Sequence, residues 1–453
     1  MASWVTDLHR VDELLNMNHL VSMRMGCSRF LATAMALLFL AGCAVNPVTG
    51  DREFSLVSED WELEVGEEHY PLMRQMEGGD YVVDRELLEY VREVGQRVAA
   101  EADRDLPYEF TVLNSSVPNA WALPGGKIAI NRGLLTEMNS EAELAAVLGH
   151  EVVHAAARHG AQRQSRQVLM QGAVMAGGLA VGVATDRQEY AAVALLAGGL
   201  GAQLIGQRYS RDAEREADEF GMVYMHRAGY NPEAAVDLQE TFVRISEGRG
   251  GGGGFAQGLF ASHPPSEERV DNNRRKLREL GTEGELGRER YQDKTADIRR
   301  LKPAYDAHDQ GRRALRDDDV DQALEKAEEA LAEEPGEALF HALRGDALAT
   351  RGDMREAEQA YARALERDDS WFYHHLRRGM ARESLGELSG ARGDLRRSVE
   401  LLPTAEAHYF LGNVERRDGN RDAALDHYRR AAQSDTETGR RARQAIEEMG
   451  AEG

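Results

Sequence analysis

Two histidines four residues apart are the residues of this sequence best suited to metal chemistry. His150 and His154 belong to the stretch SEAELAAVLGHEVVH, which begins at Ser140. Apolar residues recur there at helical spacing, and Ser140 followed three positions later by Glu143 is typical of a helix N-terminus. Because residues four apart share one face of a helix, both imidazoles are predicted to bind one divalent cation. Glu151 would then face the water that such a cation carries.

A catalytic zinc ion usually has three protein ligands, and Glu214 is the best candidate for the third. It belongs to a second predicted helix, DAEREADEFGMVYMHRAG, in which Asp218 follows one turn later and Gly229 is a plausible end. HEVVH followed by SRDAEREAD resembles the M48 family of zinc metallopeptidases, whose pattern is HExxH and then SRxxExxAD. The sequence is therefore interpreted as a zinc metalloendopeptidase, a hydrolase of peptide bonds.

The resemblance implies a role for each residue of the two motifs. One zinc ion per chain is expected on His150, His154 and Glu214. Glu151 is expected to act as the general base that takes a proton from water. Asp218 occupies the family position described as a proton donor or as a carboxylate that supports the ligands.

A further histidine, His263, follows a glycine-rich run at residues 248–254 and precedes two prolines. The segment SHPPSEER resembles an M48 motif in which a His-Pro step precedes an Arg-bearing helix. The glycines allow displacement of the segment, and the prolines stiffen it. Three roles stay open for His263: a neutral plug in the zinc ion's open position, a protonated donor to the oxyanion of the tetrahedral intermediate, or a histidine that only packs the loop.

The elements that must hold these residues are predicted to include a small sheet. Leu and Val spacing predicts a helix over residues 81–102, and strands are predicted at residues 109–114 and at Lys127–Asn131. The family resemblance makes the strand Lys127–Asn131 the edge strand beside the active site, where an extended peptide can pair with it. The alternative is a hairpin that only completes the sheet.

Between the two metal motifs, residues 168–184 and 190–205 are apolar and rich in Ala and Gly. Both runs are short for a membrane span, and small residues let paired helices approach closely. We expect a soluble helical hairpin rather than a double membrane crossing. Such a hairpin could be a lid, a docking element or a contact with a membrane.

Length and charge narrow the class of protein. The 453 residues suffice for two or three domains, and 29% charged with 42% hydrophobic residues is typical of a globular protein. The formal net charge of −23 argues against binding of nucleic acid or anionic lipid through bulk electrostatics. We therefore expect no nucleic-acid partner.

The N-terminal region resembles a bacterial lipoprotein signal. Arg24 and Arg29 precede an apolar run at residues 30–40, which is too short for a membrane span and is typical of a secretory signal. The ending Leu-Ala-Gly-Cys resembles a lipobox, in which Cys43 is lipidated and becomes the mature N-terminus. Residues 1–22 are interpreted as an over-extended start.

The residues after this predicted anchor refine its location. Ala44, where aspartate would favour the inner membrane, indicates the inner leaflet of the outer membrane, facing the periplasm. Cleavage before Cys43 would remove Cys27, so no disulfide is expected. The motif NPVTG that begins at Asn46 again resembles lipoprotein members of the M48 family, and we expect it to form a tether that leads into a first helix.

The C-terminal third repeats with a period of 34 residues. Gly311, Gly345 and Gly379 keep this step, as do three alanines, and a fourth copy follows one residue short. The period and the small residues are the signature of tetratricopeptide repeats. Four helix pairs and a capping helix are predicted to form a curved solenoid, with aromatic and histidine side chains on the first helices of the repeats, which line its concave face.

These observations predict a mainly α protein with a small β-sheet. Residues 1–43 are an N-terminal extension and signal, residues 44–300 a zincin-like metallopeptidase domain, and residues 304–453 the α-solenoid of repeats. The predicted function is cleavage of misfolded or unassembled envelope proteins, with the repeats recruiting the substrate or a protein partner. The alternative is a chaperone or assembly scaffold of the cell envelope with only occasional proteolysis.

Overall fold

The computed structural model describes residues 43–180, 209–247 and 258–451. The predicted signal before Cys43, the larger part of the predicted apolar hairpin and the glycine run at residues 248–254 lie outside the described residues. Within the described part of the chain, no helix combines the length and the hydropathy that a membrane span needs.

The N-terminal part combines two small sheets with helices that pack around them. Its elements are the strands β1 (Cys43–Val45), β2 (Arg52–Phe54), β3 (Glu109–Leu113), β4 (Ala120–Leu123) and β5 (Lys127–Asn131) and the helices α1 (Glu59–Met76), α2 (Arg85–Ala99), α3 (Arg132–Leu135), α4 (Glu141–Ala156), α5 (His159–Ala180), α6 (Arg211–Arg227), α7 (Glu233–Glu247), α8 (Leu259–Ser262), α9 (Glu267–Leu280), α10 (Arg288–Lys294) and α11 (Ala296–Arg300).

The three-stranded sheet has the order β3, β5, β4. β3 pairs with β5 in parallel, with Phe110 opposite Ile128, and β4 pairs with β5 antiparallel, with Ala122 opposite Ile128. The prediction that Lys127–Asn131 is the edge strand is therefore wrong, because this strand has a neighbour on each side. The edge strand that packs against helix α4 is β4.

Two further predictions are corrected by local hydrogen bonds. Helix α2 begins at Arg85 rather than at Tyr81, because Asp84 caps it by accepting from Leu87 N at 3.0 Å. Tyr81 N instead donates to a backbone carbonyl of β3 at 2.8 Å. The expected tether forms the antiparallel hairpin of β1 and β2, closed by a turn from Asn46, and helix α1 follows it.

Helix α4 carries both predicted histidine ligands and lies in the N-terminal core. Ser140 Oγ accepts a hydrogen bond from Glu143 N at 3.2 Å, so Ser140 caps the helix as predicted. The Glu143 carboxylate accepts from the backbone nitrogen of Asn139, one residue before the cap. Leu144 and Leu148 are fully buried in the largest hydrophobic cluster, which also includes α2 and the sheet. The metal-binding face of α4 is thus fixed by its buried opposite face.

Two glycines set the distance between α4 and α6. A Cβ atom on Gly221 would lie 2.9 Å from the backbone nitrogen of His150, and one on Gly149 would lie 3.0 Å from the carbonyl oxygen of Gly221. Because neither residue has a Cβ atom, the two helix backbones can come into direct contact. This contact brings Glu214 on α6 within reach of the histidines on α4.

The C-terminal part consists of helices that pack as consecutive antiparallel pairs. Its helices are α12 (Lys302–Arg316), α13 (Val320–Glu333), α14 (Ala338–Arg351), α15 (Met354–Arg367), α16 (Phe372–Ser384), α17 (Leu388–Leu401), α18 (Ala405–Arg417), α19 (Arg421–Ala431) and α20 (Glu437–Ala451). The repeat glycines contact large side chains of neighbouring helices: a Cβ atom on Gly345 would lie 2.6 Å from the ring of Tyr361. The predicted fold class, with four helix pairs and a capping helix, is confirmed.

The repeat helices pack directly on the N-terminal part. Trp371 Nε1 donates to the carbonyl oxygen of Gln75 at 2.9 Å. The buried carboxylate of Glu337 accepts from Tyr305 Oη at 2.6 Å and from Asn114 Nδ2 at 3.2 Å. Tyr305 also belongs to the same hydrophobic cluster as α4. One continuous core therefore joins the two parts of the chain.

Candidate metal centre

The three predicted ligands converge between helices α4 and α6. The Nε2 atoms of His150 and His154 lie 3.0 Å apart, and oxygens of the Glu214 carboxylate lie 3.6 and 3.5 Å from them. One donor atom from each of these residues and one from His263 all lie within 4.8 Å of one another. The structure thus brings the predicted ligands together and adds His263 as a fourth group.

An ion pair behind His150 fixes the orientation of its ring. His150 Nδ1 lies 3.0 Å from Asp218 Oδ1, and Arg269 binds both oxygens of Asp218 at 2.6 and 2.7 Å. Burial opposes ionisation, but Arg269 beside it holds the pKa of the Asp218 carboxyl below its usual value. An ionised carboxylate only accepts, so His150 donates from Nδ1 and turns the lone pair of Nε2 toward the centre.

The ring of His154 is held by a different set of neighbours. Its Nδ1 lies 2.8 Å from Nδ1 of His159, whose Nε2 lies 3.5 Å from a carboxylate oxygen of Glu216. The ring of Tyr209 stacks on His154 with 3.8 Å between the ring centroids. Burial holds the pKa of His154 well below its usual value, so the ring is neutral and free to bind a metal through Nε2.

The hairpin of β1 and β2 completes this second set of contacts. Asn46 is buried, and its Nδ2 donates to Glu216 at 2.7 Å and to Glu53 at 3.2 Å. Its Oδ1 accepts from the backbone nitrogen of Val48 at 2.9 Å, which ties the amide to its own turn. A chain of polar contacts therefore runs from this hairpin through Glu216 and His159 to the predicted ligand His154.

The donor set fits a zinc ion. Burial opposes ionisation of Glu214, but His263 and Arg269 hold the pKa of its carboxyl well below its usual value. The Nε2 atoms of His150 and His154 lie 3.0 Å apart and both face this carboxylate, so one cation placed among them would contact all three groups. Two imidazoles and one carboxylate are ligands that catalytic zinc sites use.

Glu151 lies beside the ligands and does not join them. It is buried, and its Oε2 has no hydrogen-bond partner among the described residues, while its Oε1 lies 3.6 Å from Nε2 of His263. Burial raises the pKa of its carboxyl above the usual value. A carboxylate with a raised pKa and an uncommitted oxygen is suited to accept a proton and to return it.

The ring of His263 lies among these groups. Its Nδ1 is 2.9 Å from an oxygen of Glu214 and 3.2 Å from Nε2 of His150. Its backbone nitrogen donates to Leu259 at 2.7 Å, which anchors the ring at the end of the short helix α8. This position favours a role in the metal centre over the interpretation that His263 only packs the loop.

Sequence reasoning missed the residues that support His154. His159 and Glu216 lie close to the two motifs along the chain, but helical spacing alone does not bring them together. Tyr209 immediately precedes the second motif, which is its only signal in the sequence. Asn46 was assigned to a tether, and its contact with Glu216 depends on how the hairpin packs, which no local pattern reveals.

An apolar pocket opens beside the metal centre. Its walls come from helices α4, α6, α7 and α8, and its apolar side chains include Val147, Met222, Leu238, Phe242 and Leu259. His150, Glu151 and His263 line the same pocket, so an apolar side chain bound there would lie next to the predicted general base.

Family models match both parts of the chain. The model described as Peptidase family M48 matches residues 86–276, which include all the residues of the metal centre except Asn46 and Glu53. The model described as Tetratricopeptide repeat matches residues 308–370 and 376–437. The N-terminal elements and the paired helices therefore have separate counterparts among known families.

Several curated relatives share the first of these parts. The chain is 31% identical over 246 residues to the mitochondrial metalloendopeptidase OMA1 of Schizosaccharomyces pombe, covering 54% of this chain and 68% of that protein. It is 31% identical over 171 residues to the metalloprotease YcaL of Escherichia coli, covering 38% and 63%. It is 29% identical over 199 residues to the beta-barrel assembly-enhancing protease of Yersinia pestis, covering 44% and 40%.

The extent of these matches differs between relatives. The chain spans less than half the length of the relatives with the beta-barrel assembly-enhancing name. It spans two thirds of the Schizosaccharomyces pombe protein, at the identity given above. Together with the family model and the convergence of both motifs in one centre, this shows that the chain belongs to peptidase family M48, a family of metalloproteases.

Proposed function

We propose that this chain is a zinc-dependent endopeptidase of the bacterial cell envelope that cleaves misfolded or unassembled proteins. In this proposal residues 44–300 hold the catalytic centre and residues 304–453 recruit the substrate or a partner. The observation that carries it is the convergence of His150, His154 and Glu214 beside the uncommitted carboxylate of Glu151.

The residues of the centre divide the work of hydrolysis between them. When bound, a zinc ion would polarise the peptide carbonyl and acidify a water molecule. Glu151 accepts the proton of the attacking water and delivers it to the leaving amine, which its raised pKa favours. Asp218 is committed to Arg269 and His150, so it positions the His150 ring and does not donate the proton.

The substrate is proposed to bind as an extended peptide along β4. β4 is the last strand of the sheet on the side of α4, and the backbone groups on the free side of such a strand can pair with a further strand. The apolar pocket beside His150 would then receive an apolar side chain next to the bond to be cleaved. Cleavage of unfolded proteins agrees with both features, because unfolding exposes extended backbone and apolar side chains.

An envelope location and a lipid anchor are supported by the predicted signal that ends at Cys43. This predicted lipobox cysteine is the first residue of strand β1, in the hairpin that packs on the metal centre. Several relatives of this chain have names that refer to assembly of beta-barrel proteins. We extend this to a periplasm-facing lipoprotein of the outer membrane, held by a lipid on Cys43.

Replacing Glu151 by Gln tests the catalytic assignment. The variant should bind one zinc ion per chain, measured by metal analysis, because Glu151 is not a ligand. Its cleavage of casein should fall by about a thousandfold, the usual contribution of a general base. The matched control is Glu219→Gln on the exposed face of helix α6, which should leave both properties unchanged. Casein cleavage at the wild-type rate by the Glu151→Gln protein would sink the assignment.

One observation favours the alternative of a scaffold with only occasional proteolysis. His263 lies in contact with Glu214 and His150, in the space that a substrate carbonyl needs. A centre closed in this way would turn over slowly until a partner displaces the segment. The two proposals differ in the turnover of the purified protein, which is substantial for the endopeptidase and nearly absent for the scaffold.

A further inference from the structure

A wide cleft lies between the N-terminal part and the first helices of the repeats. Its volume is about 870 Å³. One wall is the loop between β3 and β4 together with the end of α1, and the other wall is formed by α12, α14 and the start of α16. None of the residues predicted to bind zinc lines it, so the cleft is a second cavity beside the metal centre.

Arginines of helix α12 give the cleft a local positive charge. Arg312, Arg313 and Arg316 line it along about one turn of the helix. Arg312 is paired with Asp346 at 2.6 Å. Arg313 and Arg316 are exposed and have no carboxylate within 4.0 Å among the described residues. Two cationic side chains are thus available to a ligand in a protein whose formal net charge is −23.

The carboxylates of the cleft are mostly engaged by other groups. Asp346 also accepts from Arg377 at 2.8 Å and from two tyrosine hydroxyls, and it is almost fully buried. Asp309 lies 3.0 Å from the ring of His308. Glu77 is partly buried, and burial raises the pKa of its carboxyl. Glu137 also lines the cleft, and its carboxylate has no hydrogen bond or ion pair among the described residues.

The cleft adjoins the pocket of the metal centre. Pro118 lines the cleft, and its carbonyl oxygen accepts a hydrogen bond at 2.9 Å from the backbone nitrogen of Leu259, which lines the pocket. β4 begins at Ala120, two residues after Pro118. A peptide that pairs with β4 and continues past Pro118 therefore enters the cleft and meets α12.

We propose that this cleft binds an acidic segment of the protein substrate, and that it does so while the adjoining part of the same chain lies on β4. That the bound segment belongs to a substrate rests on the proposed function. The binding of an acidic peptide does not. Arg313 and Arg316 attract the acidic peptide within the cleft, whereas the rest of the negatively charged protein surface repels it. Apolar wall residues such as Met76, which is exposed, and Val117, which is partly buried, contact the peptide between its carboxylates.

Binding is measured first, without turnover, on the full chain carrying Glu151→Gln. The probe is a fluorescein-labelled peptide of alternating Glu and Ser, and its counterpart has Gln in place of Glu. Fluorescence anisotropy should show tighter binding of the acidic peptide, with an affinity that falls as salt is added. The double variant Arg313→Gln/Arg316→Gln should weaken the acidic peptide about fivefold or more and leave the Gln peptide unchanged.

The control makes the same change in charge elsewhere on the repeats. Arg363→Gln/Arg429→Gln removes two exposed arginines from the second helices of two repeats, outside the cleft. This control should weaken binding of the acidic peptide only as much as the loss of two positive charges from the whole protein does. Equal binding of the two peptides, or equal weakening by the cleft variant and the control, would overturn the inference.

A second measurement separates this inference from the proposed function. A peptide cleaved by the wild-type chain is extended by the acidic tail or by the Gln tail, and the acidic tail should lower KM without changing kcat. If nothing is cleaved but the acidic peptide still binds through Arg313 and Arg316, the endopeptidase proposal fails and the binding site stands. If cleavage occurs and the two tails give the same KM, the binding site is rejected while the endopeptidase stands.

Discussion

The ring of His263 contacts two predicted zinc ligands and approaches the general base. Its Nδ1 lies 2.9 Å from Glu214 and 3.2 Å from His150, and its Nε2 lies 3.6 Å from Glu151. Of the roles left open by the sequence, we propose the plug, because the ring lies between the predicted zinc ligands and the predicted general base. The segment that carries it must then move for catalysis.

Replacing His263 by Ala should therefore raise basal proteolysis. Contacts between an imidazole and charged groups are worth about 1.5–3 kcal/mol each, so removing the ring should increase the rate about tenfold or more. Zinc content should stay at one per chain, because His150, His154 and Glu214 remain. A fall in kcat by two orders of magnitude with zinc retained would instead assign His263 as an oxyanion donor.

A second buried histidine, His374, predicts a dependence of stability on pH. Neither of its ring nitrogens has a hydrogen-bond partner among the described residues. Burial lowers the pKa of His374 to about 3. The charge of Asp346 raises this pKa, and the charges of His375 and His341 lower it further. The folded protein therefore leaves this ring neutral at a pH where the unfolded chain protonates it.

The free energy of unfolding therefore falls as the pH is lowered. An unfolded histidine takes up a proton near pH 6.5, so the contribution of His374 is complete above that pH and is lost as the pH falls from 6.5 toward 3, by about 1.4 kcal/mol per unit. Replacing His374 by Phe should flatten this part of the dependence. Urea unfolding at pH 7 and pH 5, followed by circular dichroism, measures it. Parallel curves for both proteins would contradict the prediction.

The sequence indicated which residues converge at the candidate metal centre, but it did not indicate the residues that support them. The positions of His150, Glu151 and His154 follow from the period of one helix, and Glu214 follows from a second motif. By contrast, the contacts of Asn46 with Glu216 join segments distant in the chain. Such contacts depend on tertiary packing, for which a single sequence carries no periodic signal.

The hairpin of β1 and β2 acts at a distance on the metal centre through one amide. Asn46 donates to Glu216, Glu216 approaches His159, and His159 contacts the ring of His154. Polar partners of a metal ligand hold its ring orientation and its protonated nitrogen. The predicted lipid anchor, Cys43, is the first residue of this hairpin, so the first element that the structure describes also supports a predicted zinc ligand.

Replacing Asn46 by Ala should therefore weaken zinc binding without removing a ligand. Loss of such a partner usually costs about 10- to 100-fold in metal affinity. Competition with a chelator measures the affinity, and the visible spectrum of the cobalt-substituted protein reports the ligand geometry. The control is Thr49→Ala in the same turn, which loses only a hydrogen bond from Asp51 N. Equal zinc affinity of the two variants would limit Asn46 to the turn itself.

The order of the strands in the sheet could not be predicted from the sequence. Alternating apolar residues identified Lys127–Asn131 as a strand, but alternation does not state how many neighbours a strand has. All five of its residues are buried, because β3 and β4 flank it and helices cover the sheet. The short segment Ala120–Leu123, for which the sequence predicts no strand, forms the edge strand beside α4. Helix ends were similarly approximate, since Asp84 shortens α2 by a local cap.

The N-terminal part and the repeats are joined by a specific interface and not by a flexible linker alone. The side chain of Gln75 donates to Ser370 O at 2.8 Å and accepts from Phe372 N at 2.7 Å, while Trp371 Nε1 donates to Gln75 O. A Cβ atom on Gly79 would lie 2.9 Å from the Trp371 ring, so the ring is packed against the N-terminal backbone. The cleft that adjoins the metal centre keeps its shape only while this interface holds.

Replacing Trp371 by Ala should uncouple the repeats from the N-terminal part. Loss of a large aromatic side chain usually costs about 3 kcal/mol, and here it removes the contacts with Gln75 and Gly79 together with the stacking of Trp371 on Tyr373. Calorimetry of the zinc-loaded wild-type chain should show one cooperative transition, and the variant should show two. Tyr409→Ala is the control, because Tyr409 packs against Phe410 and Tyr428 within the last repeat and should lower the melting temperature without dividing the transition. A single, merely lowered transition in the Trp371 variant would show that the shared core around Tyr305 couples the two parts without this contact.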